Sequence, residues 1–205
     1  MANADDAELL QAWRDGDRKS GEALFERHFD AVARFFRNKV DHGIDDLIQR
    51  TFLACVETKD RFRGDSSFRT YLFAVAHNVL GKYFRSKRRH GDKVDFGVTS
   101  VFDLSPSPSV IVAQHREQQV LLQALRKIPI DHQVVLELYY WEKLSAREVA
   151  TVVGVPEGTA RTRIRRAKQL LEEEMAKLLG NKDQLESTIA NLDSWAASLR
   201  EQLKS

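Results

Sequence analysis

The stretch VPEGTARTRIRRAK, Val155 to Lys168, places four arginines in six positions directly behind a Val-Pro-Glu-Gly turn. On a helix that turns about 100° per residue, with Arg161 at zero, Arg165 falls at about 40°, Thr162 at about 100°, Arg166 at about 140° and Thr159 at about 160°. Ala167, Ala160, Leu171 and Ile164 fall on the other side, between about 240° and 300°. The helix therefore has one dry face for a core and one face of arginines and threonines. A merely solvated surface helix alternates its charge signs. Here residues 159–168 hold five basic side chains and no acidic one, and the acids wait until Glu172, Glu173 and Glu174. Segregated charge of this kind points to a polyanion, and a guanidinium fork can bond guanine O6 and N7 as a pair or hold a phosphate.

The preceding residues supply a scaffold for that face. Ser145 and Glu148 have capping-box spacing, Val149, Ala150 and Val153 recur at core-facing positions, Gly154 marks a turn, and Pro156 sits near the first position of the next helix. The pattern reads as helix-turn-helix, with the first helix bracing and the second entering the major groove by its N-terminal residues. A plain helical hairpin is the bland alternative, and the charge segregation argues against it.

Bulk composition bounds the rest. A chain of 205 residues, 42% hydrophobic and 30% charged, suffices for one domain or two small ones. A net charge of +2 excludes a globally basic binder, so nucleic-acid contact must be local. Cys55 alone makes no internal disulfide and reads as a small core residue inside FLACV. No apolar run approaches the ~20 residues that span a bilayer, and the N-terminus MANADDAELL is acidic where a signal peptide would be basic. The expectation is a soluble, cytoplasmic protein with no membrane contact. An enzyme finds little support. The histidines at 28, 42, 77, 90, 115 and 132 share no ligand spacing, and neither HExxH nor a phosphate-cradling glycine loop occurs. No metal and no cofactor is expected.

Helical periodicity dominates the chain. Leu24, Phe25, His28, Phe29, Val32, Phe35 and Phe36 form an i, i+3/i+4 stripe, and Leu47, Ile48, Phe52 and Val56 form another. RFRGDSSFRT has loop chemistry, and a further helix runs from about residue 69 to the basic end RSKRR, Arg85 to Arg89. Aromatics beside cations suit unstacked single strands, although Tyr71, Phe73 and Phe84 read equally as core. Residues 94–115 contain no Lys or Arg and carry Ser-Pro-Ser-Pro, a linker too long for one compact domain. Periodicity resumes at Val120, Leu121, Ala124, Leu125 and Ile128. The predicted fold is all-α: two small helical domains on an irregular tether, followed by a C-terminal helix. In that tail Leu185, Ile189, Leu192, Ala196, Leu199 and Leu203 step at heptad spacing.

The order of DDLIQRTFLA, RFRGDSSFRTYLFAVAHNVLGKYFRSKRR and LRKIPIDHQVVLELYYWEKLSAREVATVVGVPEGTARTRIRRAKQLL resembles the extracytoplasmic-function (group IV, sigma-70 family) sigma factors of RNA polymerase. The resemblance implies sigma region 2 at 20–92, a linker at 93–117, region 4 at 118–180 and an extension at 181–205. It implies a sigma factor that binds core RNA polymerase and directs promoter recognition, melting and initiation. Region 4 would read the −35 element through Arg147, Thr159, Arg161, Thr162, Arg165, Arg166 and Lys168 and dock on the β flap. Region 2 would open the −10 element through Arg63, Ser66, Ser67, His77, Asn78, Lys82, Arg85, Arg88 and Arg89, trapping a flipped base in the loop Arg63–Phe68. Asp45, Asp46, Gln49, Arg50 and Phe52 would meet the β′ clamp helices.

Two residues depart from the family's acidic clamp-binding pattern: Gly43 and Arg50 stand where acids are usual. Either the cognate polymerase compensates, or the charge arrives by regulation. In the second case a Ser/Thr kinase would phosphorylate Thr51, adding about −1.5 to −2 charges; an anti-sigma factor is the other regulator the resemblance implies. The rival function is a one-component helix-turn-helix regulator, which would bind its promoter without polymerase.

Overall fold

The computed structural model of the chain describes residues 4–40, 42–87, 99–101 and 116–179. Asp5 opens α1 (Asp6–Arg14) with a capping box closed by Glu8. Leu9, Leu10 and Trp13 bury its inner face against α2 (Arg18–Arg37). The two helices approach closely at Gly21, where a Cβ would lie 2.6 Å from the Trp13 ring. The buried row of α2, Leu24, Val32, Phe35 and Phe36, packs with α3 (Ile44–Thr58) and α4 (Phe68–Lys87), whose core residues are Leu47, Ile48 and Cys55, and Leu72, Phe73, Ala76, Leu80 and Phe84. Phe73 and Phe84 are thus core residues. Burial pushes the Cys55 thiol up to about 12, so it is an inert packing group.

The second unit comprises α5 (Arg116–Lys127), α6 (Ile130–Leu136), a π turn over Glu137–Trp141, α7 (Ala146–Val153) and α8 (Glu157–Leu179). Ala160, Ile164, Ala167, Leu171 and Met175 form the buried stripe of α8, the dry face that helical periodicity predicts. The expected linker is docked at one point: Ser100 bridges Pro129, the Ile130 N–H donates to the Thr99 carbonyl at 2.9 Å, and Val101 is fully buried. Residues 102–115 and the heptad-spaced tail lie outside the described residues. Among the described residues there is no strand, no helix long and apolar enough to cross a membrane, and no cluster of metal-ligating side chains.

The two units are more than neighbours on a shared chain. They pack on each other, α4 against α7, through a polar interface that includes Arg34, Lys39 and Arg69 on one side and Glu137 and Glu142 on the other.

Candidate nucleic-acid interface

The helix-turn-helix is built by local chemistry. The Ser145 side chain accepts from the Glu148 N–H at 3.3 Å while Glu148 accepts from the Ser145 N–H at 2.8 Å, and Gly154 ends α7 at φ +68°. Pro156 directly precedes α8, near its first position as expected. Arg147, Thr159, Arg161, Thr162, Arg165 and Arg166 are exposed and Lys168 is half-buried. Arg161 pairs with Glu157 at 2.6 Å and Arg166 with Glu173 at 3.3 Å, both on the surface and both exchangeable for a phosphate or base edge. Arg163 faces inward to Asp131 at 3.1 Å, which separates it from the other arginines. Tyr139 and Tyr140, in edge-to-face contact at 5.0 Å, join Arg161, Arg165 and Lys168 in one groove. No role was assigned to this tyrosine pair from sequence, although two adjacent tyrosines just before a helix-turn-helix were visible there.

In the first unit, Arg63, Ser67, Asn78, Lys82 and Arg85 are exposed and Ser66 is half-buried. Asn78, Lys82 and Arg85 recur at i, i+4 and i+7 and share one side of α4. The loop before α4 is fixed at both ends. Arg14 donates to the Lys59 carbonyl at 2.8 Å and to that of Phe62, and the Ser67 hydroxyl accepts from the Thr70 N–H at 3.1 Å. Phe62 packs on Tyr71, ring centroids 4.6 Å apart. His77 is half-buried and lies near Asp131 and Arg163 of the second unit; burial holds it below its ordinary pKa, so it is neutral and off the open face. Arg88 and Arg89 lie outside the described residues.

Helix α3 carries the residues expected to dock on a protein partner. Asp45, Asp46, Gln49 and Arg50 are exposed, and Arg50 is tied to Asp46 at 2.8 Å, so its reversed charge is partly spent within the helix. Phe52 is half-buried, packed on Phe25 at 4.5 Å and stacked with Phe29 at 6.4 Å, which makes it a support rather than a free docking ring. Leu53, Val56 and Phe29 are exposed by 53%, 44% and 46%, although Val56 and Phe29 belong to the two periodic apolar stripes. Gly43 has φ +79° at the head of α3, a conformation suited to glycine, so it is more than a missing acid.

Thr51 requires a correction. Its side chain is fully buried and its hydroxyl donates to the Leu47 carbonyl at 2.8 Å. It sits between Leu47 and Cys55 on the core stripe, so the hydroxyl is structural and is not presented to a kinase.

The sigma-70 region 2 family matches residues 24–90, and the sigma-70 region 4 family matches residues 118–171. The chain is 25% identical over 183 residues to ECF RNA polymerase sigma-E factor of Escherichia coli (strain K12), covering 85% of this chain and 96% of that protein. It is 25% identical over 185 residues to the protein of the same name from Haemophilus influenzae, covering 85% and 97%. In fold it resembles CnrH in complex with the cytosolic domain of CnrY, at TM-score 0.63 and 23% identity, covering 86% of this chain and 99% of that one. It also resembles the sigma factor RpoE in complex with the anti-sigma factor NepR from Bartonella quintana, at TM-score 0.63 and 21% identity, covering 77% and 97%.

Proposed function

Because this chain belongs to the extracytoplasmic-function group of the sigma-70 family, we propose that it binds core RNA polymerase through the exposed face of α3, reads the −35 element with α8, and opens the −10 element with the Arg63–Phe68 loop and the Asn78–Lys82–Arg85 side of α4. The observation that carries this reading is the split of α8 into a buried Ala160–Ile164–Ala167–Leu171 stripe and an exposed Arg161–Arg165–Arg166 face. That face can give bidentate base contacts and phosphate contacts at once. The exposed apolar side chains Leu53 and Val56 of α3 and Phe29 of α2, with Asp45 and Asp46 on α3, support protein docking, since exposed apolar surface rimmed by charge marks an interface.

The chemistry needed of α3 is modest. The carboxylates of Asp45 and Asp46 and the apolar side chains of Leu53, Val56 and Phe29 give an acidic–apolar surface for a basic partner, and the Asp46–Arg50 pair lowers its net charge. An anti-sigma factor is a candidate regulator, as one accompanies the related Bartonella quintana protein. A kinase acting on Thr51 is not part of this reading, because the hydroxyl is buried.

Run-off transcription with core polymerase over a promoter library tests the proposal. Sequence-dependent transcripts that need both the polymerase and this chain support it. Tight, specific promoter binding by the chain alone, with no stimulation of polymerase, would instead establish a one-component regulator.

A further inference from the structure

Three ion pairs between the helix-turn-helix unit and the first unit converge on two carboxylates, and the backbone is deformed where those two arise. Glu137–Trp141 forms a π turn in which the Glu142 N–H reaches the Glu137 carbonyl at 3.0 Å. In an α-helix, side chains five residues apart diverge by about 140°. The i→i+5 turn instead brings residue 142 back nearly over residue 137, and such turns are rare enough to need a reason. The reason here is at the interface. Glu137 receives the ammonium of Lys39, whose side chain is fully buried, lies over the Phe35 ring and has the Phe35 carbonyl at 2.6 Å as its other partner. Glu142, 4% exposed, receives Arg34 at 3.1 and 3.3 Å and Arg69 at 2.7 Å. Without the extra residue in the turn, one carboxylate could face the first unit and the other could not.

Exposed ion pairs contribute little to stability, but a fully buried ammonium behaves differently. Removing one partner leaves a charge without water or counterion, so the contact is either shut with its charges paired or open with them hydrated. We propose that Glu137 and Glu142 form a latch that closes on Lys39, Arg34 and Arg69 and holds the free chain in a compact state that cannot engage a whole promoter. The consequence for promoters rests on the sigma-factor reading; the closure itself does not. Elements named −35 and −10 lie about 25 base pairs apart, about 85 Å at 3.4 Å per pair. A compact chain of this length has a radius of gyration of about 17 Å, so the latched form cannot touch both. Opening therefore has to precede, or accompany, promoter engagement.

The test uses the full chain with spin labels on cysteines introduced at the exposed positions Glu22 and Ala176, outside the docking and DNA-facing residues; Cys55 is buried and stays unlabelled. The wild type should give one short, narrow distance. Glu137→Gln with Glu142→Gln should shift it to a long, broad distribution and strengthen promoter-DNA binding without polymerase by at least about fivefold, as the competent population rises. Lys39→Met with Glu137→Leu removes both charges and the hydrated alternative; it should keep the short distance and lower run-off transcription by at least about fivefold. Circular dichroism separates opening from unfolding, and Arg34→Gln cuts the same latch from the other side if the double glutamine variant loses helix. A wild-type distance that is already long and broad, or carboxamide variants that remain closed and folded, would overturn the latch. A chain that shows the closed distance and its release yet never supports transcription would overturn the sigma-factor reading and leave the latch standing.

Discussion

Thr51 is the residue at which a charge-delivery reading and the fold make opposite predictions. It is fully buried between Leu47 and Cys55, with its hydroxyl bonded to the Leu47 carbonyl at 2.8 Å. Thr51→Val keeps the shape and loses one hydrogen bond to a carbonyl that the helix ladder already uses, so it should cost no more than about 1 kcal/mol. Thr51→Glu forces a carboxylate into the core of the first unit. The effective penalty for an unpaired buried ion is several kcal/mol, against a total stability of about 5–15 kcal/mol. Taking about 3 kcal/mol as a floor, the first unit should melt about 12–24 °C lower. Thermal melts followed by circular dichroism, together with core-polymerase binding by the folded fraction, measure both quantities. Thr51→Val should melt within a few degrees of wild type and bind normally; Thr51→Glu should lose stability and gain no affinity. A Thr51→Glu protein with the wild-type melting temperature and tighter polymerase binding would refute this reasoning and restore the negative-charge switch.

Arg161→Ala and Arg165→Ala should each relax −35 base preference by about 1–3 kcal/mol in competition binding, whereas Arg163→Ala, which loses the Asp131 contact at 3.1 Å, should lower stability and leave base preference intact. Gly21→Ala should push Trp13 and α1 away from α2, since the new Cβ would lie 2.6 Å from the indole, at a cost of about 1–3 kcal/mol in denaturant melts; an unchanged midpoint would show that α1 yields freely. Burial holds His28, His77 and His132 below their ordinary value of 6.5, so their folded forms prefer to be neutral. The unfolded chain then takes up protons first, and stability present above pH 6.5 should be lost as pH falls through and below it. Melts at successive pH values check the sign, and His77→Gln should remove part of the slope.

Several features were legible because their causes are local. The Ser145–Glu148 capping box, the stop at Gly154 and the dry face of α8 each depend on residues within a few positions of one another, and the structure contains all of them. Aromatic residues were legible only by type. Phe73 and Phe84 are core, as composition allows, but Phe29 is exposed although it belongs to the same periodic stripe as the buried Val32 and Phe36. Periodicity identifies neighbours on a helix face without saying where the neighbouring helix ends, so the edge of a stripe is settled by packing.

The helices α2, α3, α4 and α8 and the turn before α8 were thus determined by the sequence itself, through caps, turn residues and the 3.6-residue period. The tertiary structure decided which residue at a stripe's edge goes inward. On α3 it chose Thr51 over Val56, because the i, i+4 row Leu47–Thr51–Cys55 is the one that meets α2 and α4. It also decided that the two units close on each other, through carboxylates and cations 73 to 108 residues apart in the chain. No local pattern encodes that pairing, because a buried charge is stable only when its distant partner is already in place.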